Sequence, residues 1–479
     1  MRSGLLRITV LLSFSILLVS FTISRSPFSY SLLLAADTSY PSFVNAIDHK
    51  GKTIISSNDL ISFSSGMDND RFRADTISRH CYLYLETGVK SLPGDSVKRI
   101  PLNISIVIDR SGSMKREKME RAIEAASNIV DKLNATDIVS IVAYGDEVDV
   151  VQPAIAAIKK DKIKEKISQI IPRGGTNLWG GCETGYYQVL EHAKPGYINH
   201  VFLISDGLAN VGMTSSKSIA SNVQRFKDDE GITVSTFGVG LDFNEVLLSE
   251  MAEAGSGNYY FIEEPGKIKS MLETELYSLL HVAAREAVLT LYIPAGVRPN
   301  KIVSLTYTVN GQMIKIKLSD LEEGAEKRVL LDMKLADSVR SSLPFRSVLT
   351  YIDARTGQKR QLENNNLIKP AAHKEYLGSF NREVVGQVLL NAAGENMEAV
   401  MTEVDKDQYE KAGKMLEQNL RLLKNHSSYI SESKSLQQME NASRQYGQYM
   451  QALRSMNRDS LRLKQKTSRA ALINLKKAK

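Results

Sequence analysis

Between Pro101 and His281 the chain alternates two textures that together leave little choice of architecture. Continuous apolar runs of strand length, "LNISIVID", "DIVSIVAYG", "YINHVFLISDG" and "GITVSTFGVG", are separated by segments of helical period. One of these, "KMERAIEAASNIVDKL", carries Met119, Ile123, Ala126 and Val130 at spacings of three and four. A strand that is apolar on both sides must be covered on both sides, and helix-length connections are those that join parallel strands. The expectation for residues 101–281 is therefore an α/β fold with a doubly wound, mostly parallel sheet.

Ligands of such sheets bind beyond the carboxyl ends of the strands, where loops and helix N-termini converge. Three strand-end loops carry matching chemistry there. The first strand stops on "VIDRSGSM", which puts Asp109, Ser111 and Ser113 within five positions, and Gly112 permits the tight turn that follows. The glycine-rich loop "RGGTNLWGG" presents Thr176, and "LISDGLAN" ends another strand on Asp206. Two carboxylates and three hydroxyls make an oxygen-only site, suited to Mg2+, Mn2+ or Ca2+ rather than zinc or copper. Hydroxyls are neutral, so the two acids roughly cancel the ion's charge and leave it electrophilic toward one more oxygen. Asp146, in "YGDEV", is read as a turn residue ahead of the strand "VDVV", and none of the seven histidines forms a metal-spaced pair.

The order D-x-S-x-S, then a threonine in "GGTN", then an aspartate in "SDG", on alternating strands and helices, resembles the von Willebrand factor A domain with its metal-ion-dependent adhesion site. The resemblance covers about residues 101–281, and each ligand position of that family finds its residue here: Asp109, Ser111, Ser113, Thr176 and Asp206. It implies that serines and threonine coordinate the ion, that the aspartates act largely through water, and that the open position takes a Glu or Asp of a partner protein. It also implies two states of coordination, with a shift passed to the last helix. Here that helix is read as "KIKSMLETELYSLLHVAAREA", and Gly174 and Gly175 flank Thr176 as flexible points. The loops expected to meet the partner include Gly175, Asn177 and Gly207.

An enzyme reading fares worse. Phosphotransferases of the haloacid-dehalogenase type also begin on an aspartate after an apolar strand, but need a second aspartate two residues on, where this chain has Ser111. No G-x-S-x-G elbow surrounds either serine. Without a general base the site can hold and polarise an oxygen but not turn a substrate over.

The rest of the chain divides by texture. At 479 residues and 43% hydrophobic it can fill two or three cores. Residues 1–36 start on Arg2 and Arg7 and continue into the apolar run Ile8–Ile23. They read as a signal peptide or membrane anchor, which places the protein outside the cytoplasm: periplasmic, at the cell surface, or anchored to the membrane. Residues 37–75, rich in Ser, Asn and Asp, read as a linker. Residues 76–100 contain the strand "HCYLYLET", and 282–368 alternate apolar and polar residues around the hairpin signal Asn310-Gly311. Together these two parts are expected to form a β-sandwich in which the α/β domain is inserted, an order similar to that of bacterial exported proteins of the von Willebrand A type.

Residues 369–479 read as helical. Ala412, Met415, Leu416, Leu420 and Leu423 form one stripe and Leu436, Met439, Tyr446, Met450 and Leu453 another, predicting two long helices that pair. From Ala371 onward 18 Lys or Arg face 12 Asp or Glu, most of the net +7, but the signs are interleaved without basic aromatic strands, which argues against nucleic acid. Cys81 and Cys182 are too few and too far apart for a disulfide framework. The expected function is divalent-cation-dependent protein binding outside the cytoplasm. The alternative is an assembly protein of an envelope complex that associates, or oligomerises, through its helical tail.

Overall fold

The computed structural model describes residues 53–477, apart from 77–78, 91–98, 195, 304–306 and 453–457. The apolar run Ile8–Ile23, the first part of the expected linker and Leu453 lie outside the described residues. Among those described, no helix is long and apolar enough to cross a membrane.

Four strands come first: β1 (Ile54–Ser57), β2 (Ile61–Met67), β3 (Arg71–Arg73) and β4 (Arg79–Val89). The linker reading is thereby corrected over 54–73. Its serines mask a period of two, in which Ile61, Phe63, Ser65 and Met67 all turn inward. Buried Ser65 is satisfied by donating its hydroxyl to Asn366 Oδ1 at 2.7 Å.

The α/β part follows as β5 (Leu102–Asp109), α1 (Glu117–Lys132), β6 (Ile138–Tyr144), β7 (Val148–Ala156), α2 (Lys160–Ser168), α3 (Leu178–Leu190), β8 (Ile198–Ser205), α4 (Ser216–Glu230), β9 (Thr233–Val239), α5 (Glu245–Ala254), β10 (Ser256–Ile262) and α6 (Ile268–Leu280). Its sheet runs β10-β9-β8-β5-β6-β7, parallel throughout except for β7, which pairs antiparallel at one edge. The period of two within the central strand β5 splits the core. Leu102, Ile104, Ile106 and Ile108 pack with residues of α1, α2 and α6, whereas Val107 packs with residues of α3, α4 and α5. Covered on both faces, the sheet exposes its site only at the strand ends.

Seven strands complete the β part: β11 (Val282–Tyr292), β12 (Val297–Ile302), β13 (Tyr307–Asn310), β14 (Met313–Glu322), β15 (Glu326–Leu335), β16 (Leu343–Asp353) and β17 (Lys359–Ala371). They join the early strands in two sheets, β1-β2-β4-β15-β12 and β13-β14-β11-β16-β17-β3. β4 pairs with β15, which lies beyond the α/β part in sequence, from Arg79 opposite Leu335 to Gly88 opposite Glu326. Side chains of both sheets form one hydrophobic cluster, with Leu83, Leu85, Leu331 and Met333 on one side and Leu289, Leu291, Phe345 and Leu349 on the other. The β13–β14 hairpin closes through Gly311 at φ +60°.

Two expectations about helices need correction. The exit helix α6 stops at Leu280, because "VAAREA" is claimed by β11, which pairs with both β14 and β16. Only His281 separates helix from strand. The C-terminal part holds more than a helical pair: α7 (His373–Leu377), α8 (Arg382–Asp405), α9 (Tyr409–Asn425), α10 (Ser427–Ile430), α11 (Lys434–Ala452) and α12 (Arg458–Lys477). α8 escapes a stripe-based reading since apolar residues nearly ring it, as suits a helix packed against α9, α11 and α12. α12 also reaches the α/β part, where Lys466 Nζ lies 3.5 Å from the centroid of the Phe243 ring and donates to the Phe243 carbonyl at 3.0 Å.

Within the α/β part, Glu275 of α6 is buried and accepts from Ser235 Oγ at 2.6 Å, Tyr260 OH at 2.8 Å and Asn258 Nδ2 at 2.9 Å. His200 Nε2 stands 3.6 Å from the same carboxylate, yet burial holds this imidazole down to about 4, outweighing the pull of Glu275 toward the charged form. Neutral in the fold, His200 takes up a proton near its ordinary pH on unfolding. Stability is therefore intact above about pH 6.5 and falls as pH drops toward about 4. Between pH 7 and pH 5 the parent is expected to lose about 2 kcal/mol more than His200→Gln in urea melts, and equal losses would remove His200 as the cause.

Candidate metal site

β5 ends with Asp109 entirely buried. One carboxylate oxygen, Oδ1, accepts from the Ser111 backbone N–H at 2.8 Å, and Oδ2 accepts from Ser205 Oγ at 2.8 Å. Burial, with a smaller push from Asp206, raises this carboxyl to about 6 against the hydrogen bonds from Ser111 and Ser205. The chain then enters a single 3-10 turn, Gly112–Met114, anchored by the buried Met114. The Gly112 N–H donates to the Gly174 carbonyl at 3.0 Å and ties the first loop to the second.

The hydroxyls meet at the mouth of this turn. Ser111 Oγ and Ser113 Oγ are 3.0 Å apart, and Ser113 Oγ donates to Asp206 Oδ1 at 2.7 Å. Thr176 Oγ1 approaches from the second loop: a Cβ placed on Gly207 would sit 3.0 Å from it and 3.5 Å from Ser113 Oγ. All five expected ligands thus surround one small volume, with Ser113 on its exposed side. Oxygens about 2.9 Å apart are the spacing of neighbouring ligands around an octahedral ion with bonds near 2.1 Å. Hydroxyl oxygens with two carboxylates are a donor set for a hard divalent cation, and both cysteines are buried elsewhere. No cluster of three or more His, Cys, Asp or Glu side chains able to hold a metal occurs among the described residues, so this hydroxyl-based volume is the candidate.

Asp146 lies in the turn ahead of β7, as the sequence reading has it, and three further features add to that reading. Asp146 organises the second loop, since its Oδ1 accepts from the Gly175 N–H at 2.6 Å while Gly174 adopts φ +77°. Asn177 caps α3 by accepting from the Gly180 N–H at 3.1 Å, and Gly207 is buried. Next to Gly207, Leu208 is an exposed large apolar side chain, 57% accessible. Sequence reasoning also missed Ser205, which orients Asp109, and Lys118, whose Nζ lies 2.5 Å from Asp206 Oδ2. A lysine in the first turn of a helix was the available signal, because the helix dipole disfavours it there.

Residues 103–274 match the family model described as the von Willebrand factor type A domain. This segment is a von Willebrand factor type A domain. The chain is 32% identical to the Escherichia coli protein YfbK over 186 residues, which make up 38% of this chain and 32% of YfbK. The chain thus spans about a third of that relative. A Synechocystis protein, sll0103, is 24% identical over 345 residues, 70% of this chain and 81% of that one. Among solved structures, a von Willebrand factor type A protein from Catenulispora acidiphila superposes with a TM-score of 0.63 at 18% identity, covering 80% of this chain and 91% of that one. That likeness extends the shared fold beyond the A domain's own 103–274.

Proposed function

We propose that this is a non-enzymatic, extracytoplasmic binding protein whose A domain holds a divalent cation, Mg2+ or else Mn2+ or Ca2+, and uses it to capture a Glu or Asp of a partner protein. The observation that carries this reading is the convergence of Asp109, Ser111, Ser113, Thr176 and Asp206 at the solvent end of the central sheet. Ser111, Ser113 and Thr176 would hold the ion through their hydroxyls, with the carboxylates of Asp109 and Asp206 behind them. Bound there, the cation supplies an electrophilic position for the partner's carboxylate. Asp146 and Asn210 hold the threonine loop in place, the latter by accepting from the Thr176 N–H at 2.8 Å. Leu208 offers the partner an apolar contact beside the ion.

The extracytoplasmic setting rests on the charged start and apolar run of the N-terminal sequence. The two flanking sheets are proposed to act as one sandwich that carries the A domain as an insert, supported by their common core and the β4–β15 pairing. The helical tail is a weaker candidate for the functional surface. Its stripe residues Ala412, Met415, Leu436, Met439 and Tyr446 are buried within this chain, which removes the apolar area that self-association would use. Part of its basic charge is paired within the tail, Lys411 with Glu403, Lys414 with Glu410 and Arg444 with Glu440.

Capture tests this function. With the full chain immobilised in Mg2+, proteins retained from an envelope extract are expected to elute with a chelator, and re-adding Mg2+ should restore capture. The fold should survive, because the A domain's two apolar clusters hold it. Retention that ignores the chelator would count against cation-mediated binding.

A further inference from the structure

Lys118 sits where helix electrostatics disfavours it, in the first turn of α1, beside the positive end of the helix dipole. Its ammonium instead meets Asp206, whose side chain is fully buried while that of Lys118 is 24% exposed. The two oxygens of this carboxylate face different ways. Oδ2 takes the lysine at 2.5 Å, and Oδ1 takes the Ser113 hydroxyl at 2.7 Å, within the oxygen cluster. The lysine tip also lies against the end of β9, where Gly240 adopts φ +76° and a Cβ would meet Lys118 Cε and Nζ at 3.5 Å.

This changes the charge at the site. Two acids alone would neutralise a divalent ion, but Asp109, Asp206 and Lys118 together sum to a single negative charge. We propose that Lys118 is a fixed counter-charge, a specificity-determining residue that keeps the bound cation net positive, lowering its affinity for the protein and raising its attraction for an incoming carboxylate. The inference rests on the cation-site reading above. The physics is Coulombic: an ammonium a few ångströms from the ion repels it in a half-buried setting, where screening is weaker than in bulk water, and the same charge favours an anion.

The test compares full-length parent, Lys118→Met and Lys118→Arg. Calorimetry with Mg2+ is expected to show Lys118→Met binding about tenfold tighter or more, and Lys118→Arg close to the parent. With Mn2+ loaded, water-proton relaxation titrated with acetate reports the carboxylate side, and acetate should bind Lys118→Met several-fold more weakly. Melting in chelator establishes that each variant folds, and Lys118→Gln with the same readouts replaces Lys118→Met if that protein does not. Unchanged or weaker Mg2+ binding in a folded, uncharged variant would overturn the proposal, as would unchanged acetate affinity. A parent that binds Mg2+ while the uncharged variant matches it defeats this inference alone, whereas a parent that binds no divalent cation defeats the site reading and this inference with it.

Discussion

Replacing Asp109 by alanine is expected to weaken Mg2+ or Mn2+ binding at least about a hundredfold by calorimetry, roughly 2.7 kcal/mol, because one of two charged ligands disappears. The carboxylate also organises the loop, holding the Ser111 N–H and the Ser205 hydroxyl, so its loss loosens the serines as well. Asp109→Asn separates charge from shape. Burial raises the Asp109 carboxyl to about 6, which means that the ionised group opposes folding at neutral pH when nothing compensates it. In chelator the asparagine variant should therefore melt at or above the parent's temperature while binding cation poorly. An alanine variant that binds Mg2+ as tightly as the parent would remove Asp109 from the ligand set.

The second large effect is one of stability. Glu275→Ala should cost about 3–4 kcal/mol in urea unfolding, since it strands buried partners as well as opening a cavity. Ser235, Asn258 and Tyr260 all donate to this carboxylate, and their hydrogen bonds fix α6 against β9 and β10. α6 leads into β11 after one residue, so loosening it also frees the exit from the A domain. Glu275→Gln, which keeps the shape, should lose less. A cost below about 1 kcal/mol for the alanine variant would show that α6 is held by its apolar face alone.

The site was legible in the sequence wherever its parts are local or end a buried strand. Asp109, Ser111 and Ser113 lie in one turn, and the apolar runs before Asp109 and Asp206 fix both aspartates at the same edge of a parallel sheet. Thr176 was found through its glycine loop. Lys118 offered only its unfavourable place in the first turn of a helix as a signal, and its partner Asp206, 88 residues away, could not be paired with it from the sequence. Asp146 was set aside as a turn residue for a like reason: its role is to accept from the Gly175 N–H, 29 residues on.

The fold shows the same division. The β5, β6, β8 and β9 strands declared themselves by runs of largely apolar residues. β2 was hidden, since buried Ser65 interrupts its hydrophobic period and is tolerated only through Asn366 on a strand of the other sheet. α8 was hidden in the opposite way, being too evenly apolar to show a stripe, although that property itself marks a helix enclosed by neighbours.

The most direct measurement is an anomalous difference map from crystals of the full chain grown with Mn2+ and collected at the manganese edge. The expected result is one strong peak within bonding distance of Ser111 Oγ and Ser113 Oγ, facing Thr176 and Asp206, with Lys118 still on Asp206. A map without a peak there, or with manganese only at other acidic residues, would contradict a cation site built from these five side chains.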